Sequence, residues 1–365
     1  MRVLALAQSA DGANGWGRYS VEIARALRGL GAEVELLVER GGENPLGEAE
    51  EALAMWPDPQ PSGVRAILEA PGLVSRARQA DLIHALDETK LPLAAALATL
   101  AARPFAVSMH GTQAVRLLEK RGFLYRPVLT RSRRLFAASD YTRRRIVQLA
   151  PELNRLIQTT PLGVSTVSDA PLPLDRRGGF ALSVGAVKPR KGVLEALRAV
   201  MSLRAEGVKL ALKVAGAYDP EDAYVRMLHA EATSAGDNPL ELLGPVDEQK
   251  LSALMSTARV LIMPSQEGPD GFEGFGLVHL ESAARGTPSI GSWDSGNEDA
   301  VLDGVTGYLI KRGDQTAIVQ SLRVLATKPD RWASMSLAAC RFASEMNWRR
   351  TAESTLKGYL RQSPS

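Results

Sequence analysis

The chain has 365 residues, 45% of them hydrophobic and 23% charged, with a formal net charge of +3. That length favours two domains of ordinary size, and the balance is that of a folded globular protein, not a disordered one. So mild a positive charge gives no reason to expect a nucleic-acid partner.

Residues 3–7 open the chain as a short apolar run that passes straight into glycine-rich sequence, so they read as a first buried strand rather than a secretion signal. Similar runs recur at 34–38, 82–85, 105–109 and 135–139. A second series lies at 180–184, 210–215, 241–243, 260–263, 288–291 and 308–310. All are too short for core helices and are bounded by turn residues. Helical stretches lie between them, for example 19–30, 193–205 and 314–327. Strand and helix in alternation predict an α/β protein with parallel sheets covered on both faces.

The run Ser168-Asp169-Ala170-Pro171-Leu172-Pro173-Leu174-Asp175-Arg176-Arg177-Gly178-Gly179 has the proline, glycine and charge of a linker. It separates two Rossmann-like halves, 1–167 and 168–345, each expected to receive ligands at the carboxyl ends of its strands. The stretch 43–62 shows little pattern. No run of apolar residues reaches membrane-spanning length. One cysteine, Cys340, excludes an internal disulfide framework and fits a reducing cytoplasm. Four histidines and that cysteine show no metal-ligand spacing, so no metal or other cofactor is expected.

The densest chemical signal is Glu273-Gly274-Phe275-Gly276-Leu277-Val278-His279-Leu280-Glu281. Two carboxylates stand eight residues apart, Glu273 in a glycine-rich loop and Glu281 some two helical turns on. The backbone N–H groups of the Gly274-Phe275-Gly276 loop sit where a helix begins and favour phosphate. A carboxylate further along suits a ribose diol, so the segment reads as a nucleotide-sugar site. The turn Val184-Gly185-Ala186-Val187-Lys188-Pro189-Arg190-Lys191-Gly192 brings three cations to the start of a helix. Arg190 and Lys191 there form a clamp for a diphosphate.

Three further signals are weaker. Asp11-Gly12-Ala13-Asn14-Gly15-Trp16-Gly17-Arg18 follows the first strand, and Gly15 lets backbone approach a phosphate or an acceptor. It lacks the dinucleotide fingerprint, and Glu39 is the nearest acid to the end of the second strand. His110, in Ser108-Met109-His110-Gly111-Thr112, ends a strand and is placed to meet a sugar hydroxyl, though a structural role would look the same. Asp294-Ser295-Gly296-Asn297-Glu298 suits either nucleotide contact or a plain helix cap. Trp293, His279 and His229 read as packing or helix residues. Between Arg116 and Arg145 stand ten Lys or Arg and two acids, Glu119 and Asp140, interleaved with Phe123, Leu124 and Tyr125. That pattern is either a solvated helix face or a surface for anionic lipid.

In their order these residues resemble the retaining GT-B glycosyltransferases that carry two glutamates at this spacing. Pro264-Ser265, Glu273-Gly274-Phe275-Gly276-Leu277, Glu281 and Gly286-Thr287-Pro288 follow that family's central motif. Ala138-Ser139-Asp140-Tyr141-Thr142, Pro161-Leu162-Gly163-Val164, Gly304-Val305-Thr306-Gly307-Tyr308-Leu309 and Asn347-Trp348 resemble its flanking segments. The resemblance implies a GT-B fold in which residues 346–365 return as a helix to the first domain. It implies that Glu281 binds the ribose, Glu273 the donor sugar with the backbone N–H groups of Phe275, Gly276 and Leu277 near sugar and phosphate, and Arg190 and Lys191 the leaving diphosphate. His110 would line the sugar pocket, Gly15 approach the diphosphate or acceptor, and Gly244 and Val246 touch the base.

The implied activity is metal-independent transfer of a hexose, with retention, from a nucleoside diphosphate sugar to a carbohydrate or lipid-linked acceptor. The single cysteine fits a cytoplasmic setting, and the basic stretch slightly favours a peripheral contact with the inner face of an anionic membrane. A sugar-nucleotide epimerase shares the fold. A binding protein without turnover is the third reading, because Ala186 stands where the family often has arginine. The loop Gln266-Glu267-Gly268-Pro269-Asp270-Gly271-Phe272 is longer than the family's usual one.

Overall fold

The computed structural model describes residues 1–10, 15–38, 63–168, 170–234, 236, 238–268 and 271–360, with the side chains of 63–70 outside that description. Asp11 to Asn14, Glu39, the stretch 43–62, Asp169 and Asp270, all named in the sequence reading, lie outside the described residues. The chain divides into two compact units, Met1–Gly163 with Trp348–Ser365, and Val164–Asn347.

The first unit is a parallel sheet of six strands. These are β1 (Arg2–Ala7), β2 (Glu33–Val38), β3 (Leu82–Ala85), β4 (Phe105–Met109), β5 (Arg134–Ala137) and β6 (Ile157–Thr159), in the order β2-β1-β3-β4-β5-β6. The register of β1 on β2 runs from Arg2 opposite Glu33 to Ala7 opposite Val38. Its helices are α1 (Gly15–Gly29), α2 (Gly63–Gln79), α3 (Leu91–Ala101), α4 (Thr112–Leu129) and α5 (Asp140–Leu149). Ser139 caps α5 by accepting from the Thr142 N–H, which gives the Ser-Asp-Tyr-Thr segment a structural role.

In the second unit the strands are β7 (Phe180–Val184), β8 (Ala211–Ala215), β9 (Leu240–Gly244), β10 (Val260–Ile262), β11 (Ser289–Ser292) and β12 (Gly307–Ile310). They lie parallel in the order β12-β11-β10-β7-β8-β9. The helices are α6 (Val193–Ala205), α7 (Ala223–Thr233), α8 (Glu248–Thr257), α9 (Leu277–Ala283), α10 (Gln315–Thr327) and α11 (Pro329–Glu345). Strand residues of β7, β8 and β10 meet the apolar faces of α6, α7 and α10 in one continuous core. Burying such side chains supplies about 25 cal/mol for each Å² removed from water. The expected linker is only partly a linker. Arg177 within it is buried, donates to the carbonyls of Leu172, Ala258, Arg285 and Gly286, and stacks on Trp332 with its centre 4.6 Å from the ring.

A final helix, α12 (Trp348–Leu360), belongs to the first unit and packs on α1 and β5. Its Tyr359 reaches into a buried polar chain. The Tyr359 hydroxyl lies 2.6 Å from His84 Nδ1, His84 Nε2 lies 2.9 Å from Ser108 Oγ, and Ser108 Oγ lies 2.7 Å from the Tyr19 hydroxyl. Burial, reinforced by His110, pushes His84 down to about 3, so the ring stays neutral and one nitrogen donates while the other accepts. Such a chain stabilises only while every member is satisfied. Tyr359→Phe should leave His84 Nδ1 without a partner and lower stability by ~1–3 kcal/mol. The denaturant midpoint of the first unit measures it, and an unchanged midpoint would show the bond to be idle.

Candidate functional site

In the second unit three segments meet at the carboxyl edge of the sheet. The cationic turn leaves β7, forms a single turn of 3-10 helix over Pro189–Lys191 and enters α6 through Gly192. Gly192 has φ 72°, and a Cβ there would run into the backbone of Pro264, so only glycine fits. The Gln266 N–H donates to the Arg190 carbonyl at 2.8 Å, which fastens the turn to the loop after β10.

That fastening brings Lys191 onto Glu273. Their Nζ–Oε2 separation is 2.5 Å, and each side chain is only 15% exposed. Arg190 approaches the same oxygen at 3.7 Å. Burial alone would raise the Glu273 carboxyl, but Lys191 first and Arg190 next overcome it and hold the group below the ordinary carboxylate value. The Glu273 carbonyl accepts from the Gly296 N–H at 2.8 Å, so the loop after β11 supports the glutamate from behind.

Gly276, with φ 81°, caps α9, and Glu281 is buried in that helix about one turn from its start. The interval between the glutamates is thus a loop followed by one turn, not two turns of helix. The Phe275 side chain is buried, which leaves its backbone for any ligand; Leu277 is half-buried. Gly244 ends β9 with φ 69° and its carbonyl accepts from the Gly216 N–H, while Val246 packs partly against the cluster around Phe180 and Met263. Among the described residues no group of three His, Cys, Asp or Glu is arranged to hold a metal ion.

His110 lies in the first unit, at the end of β4. Its Nε2 is 2.7 Å from the Leu86 carbonyl, so that nitrogen carries the proton and Nδ1 remains an acceptor. Burial is the largest influence on the ring and lowers its pKa. Tyr19 packs edge-on against it at 4.5 Å. Glu88, 2% exposed, accepts from the His110 backbone N–H through its carboxyl. Burial pushes that carboxyl up to about 8. Gly15 is the first residue of α1, exposed, with nothing near the place of a Cβ.

Several of these groups were not singled out by sequence. Glu88, Asp87 and Lys90 are all buried in the turn after β3. His279 and Asn297, read as a helix residue and an optional contact, are fully buried beside Gly276. The sequence signal was there in each case, a polar residue next to a strand end or a glycine loop, but burial is what gives it weight. Trp293, expected in the packing, is 37% exposed.

Comparison with known proteins gives these arrangements a family. Residues 166–340 match the family described as Glycosyl transferases group 1, and residues 14–159 match the Glycosyl transferase 4-like domain. A D-inositol 3-phosphate glycosyltransferase of Streptomyces scabiei is 36% identical over 115 residues, 32% of this chain and 25% of that protein. A glycogen synthase of Mycobacterium tuberculosis is 29% identical over 180 residues, 49% of this chain and 42% of that one. The matches thus span about a quarter to two-fifths of the length of these relatives. The structure of Anabaena HepE solved with UDP and glucose superposes with a TM-score of 0.76, at 20% identity, over 98% of both chains. Sucrose-phosphate synthase from Thermosynechococcus elongatus superposes at 0.74, with 18% identity, over 98% of both. With two six-stranded parallel sheets and a match to one family model in each half, the chain belongs to the group 1 glycosyltransferases of GT-B fold.

Proposed function

We propose that this chain is a retaining hexosyltransferase that takes its sugar from a nucleoside diphosphate donor without a metal ion. One observation carries the proposal: Lys191 and Arg190 converge on Glu273 at the mouth of the segment that ends in Glu281. In this reading the two cations receive the diphosphate and stabilise its charge as it leaves. Glu273 faces the donor sugar, Glu281 holds the ribose diol, and the backbone of Phe275, Gly276 and Leu277 approaches the phosphates. Gly244 and Val246 sit beside the base. The sugar C1–O bond to the diphosphate breaks, and a new bond to the acceptor oxygen forms on the same face. The acceptor proton passes to the departing phosphate oxygen. His110 offers Nδ1 to a sugar or acceptor hydroxyl, and Gly15 marks where phosphate or acceptor approaches the first unit. The HepE structures solved with UDP, with UDP-glucose, and with UDP and glucose support a uridine donor as the first to try.

A lipid-linked acceptor at an anionic membrane is the acceptor reading we favour, on the exposed residues of α4. Phe123 is 78% and Leu124 54% exposed, next to Arg121 and Lys120. The basic run is not one continuous face, however. Arg134 is buried in β5, and Arg143 and Arg144 pair with Asp140 on α5. Only the α4 part suits an interface. Among the described residues no helix is long and apolar enough to cross a membrane, so any attachment through this part would be peripheral and, we propose, cytoplasmic.

A thermal-shift panel of UDP-, GDP-, ADP- and TDP-sugars tests the donor site. One nucleotide should raise the melting temperature, unchanged by EDTA, because a ligand of the folded state stabilises it. No shift with any of them would contradict the donor site, and release of nucleotide without an acceptor would favour the epimerase. Flotation with anionic vesicles tests α4: binding at low salt should be lost in Phe123→Asp. Failure of the unaltered protein to float would end the membrane reading.

A further inference from the structure

His279 is fully buried, and neither of its ring nitrogens has a hydrogen-bond partner. A buried imidazole without partners costs free energy, and such a group calls for a state in which it is satisfied. The ring lies in the first turn of α9, and its Cδ2 would be 2.9 Å from a Cβ at Gly276. The same Cβ would also run into Asn297 Nδ2, which is likewise buried and without a partner. Gly276 therefore stays bare because two polar side chains press against it, and the same loop carries Glu273.

The charges that bear on the ring are Glu273, from the loop before α9, and Lys191, from the turn after β7. Arg190 acts on Glu273, and the second buried side chain, Asn297, is neutral. The ring is neutral, held down to about 4 by burial first and by Lys191 in part, with Glu273 pulling the other way.

The donor-site proposal above changes that balance. A diphosphate competes for Lys191 and Arg190, and each contact it gains is taken from Glu273. A buried carboxylate that loses its counter-charge is strongly destabilised unless another partner replaces it. We propose that His279 is that replacement: as the donor diphosphate draws Lys191 away, the buried imidazole takes one proton from solvent and holds the Glu273 carboxylate. Donor binding is thereby coupled to proton uptake, and His279 acts as a positioning residue for Glu273. This rests on the donor site assigned above.

The test is calorimetric titration of the full chain with UDP-glucose at pH 6.5, in buffers of different ionisation enthalpy. A sugar nucleotide has no group that titrates near that pH, so any proton exchanged belongs to the protein. Uptake of about one proton per donor is expected, by linkage between binding and protonation. His279→Asn should abolish the uptake and weaken binding about tenfold, the size of one lost charge-assisted contact. His279→Leu, which fills the space without ring nitrogens, should do the same, and melting temperatures within a few degrees of the parent show that both fold. Donor binding with no proton uptake, or uptake that persists in both variants, overturns the proposal while leaving the donor site standing. Absence of binding by every donor in the panel overturns the donor site, and this inference with it.

Discussion

The Glu273–Lys191 ion pair is the constraint around which the second unit is arranged. Neither partner is at home in a nearly closed environment alone: a carboxylate or ammonium taken from water without compensation costs several kcal/mol. The backbone is therefore shaped to bring them together. Gly192 gives the turn a conformation that lets it lie on Pro264, the Gln266 N–H fastens it, and Gly296 supports Glu273 from the opposite side. Three strand-end loops, after β7, β10 and β11, are thereby fixed to one another by a charge pair and a few backbone bonds. In such an arrangement the loops assigned to the donor are held in place before it arrives, and the Lys191–Glu273 contact is what the arriving diphosphate would exchange.

The first unit shows the same economy with neutral groups. Tyr359, His84, Ser108 and Tyr19 pass hydrogen bonds in series, and Tyr19 meets the ring of His110. Glu88, bonded to the backbone of His110, has a carboxyl that burial pushes up to about 8, so it is substantially protonated at neutral pH. Because α12 supplies Tyr359, the last helix of the chain is part of the support for the end of β4. In both units chemistry-bearing residues stand at strand ends, and a buried polar group secures each.

Much of this was legible in the sequence. The apolar runs that became β1, β3, β4, β7 and β10 stood out because a strand buried on both faces is uniformly hydrophobic. The strand β6, Ile157-Gln158-Thr159, did not, since it is three residues long, lies at the sheet edge and is largely polar. The spacing of Glu273 and Glu281 and the cations of the turn after β7 drew attention for their chemistry. That Lys191 closes on Glu273 was not readable, for their 82-residue separation is bridged only by tertiary packing. Glu88 and His279 passed as ordinary residues because side-chain burial depends on neighbours that sequence does not place. Arg177 looked like linker charge for the same reason, yet it is an anchor between a loop and the core.

The central claim, that a mutually dependent charge pair organises the site, is tested most directly by a double-mutant cycle of Lys191→Met and Glu273→Gln on unfolding free energy as a function of pH. Because the folded-state value of Glu273 is depressed, the stabilisation is present above the carboxyl's unfolded value and is lost as pH falls through the folded one. The account predicts a coupling of ~1–3 kcal/mol at pH 7 that shrinks as the solution is acidified below about 4.5. Additive effects at pH 7, or a coupling that does not change with acid, would contradict it.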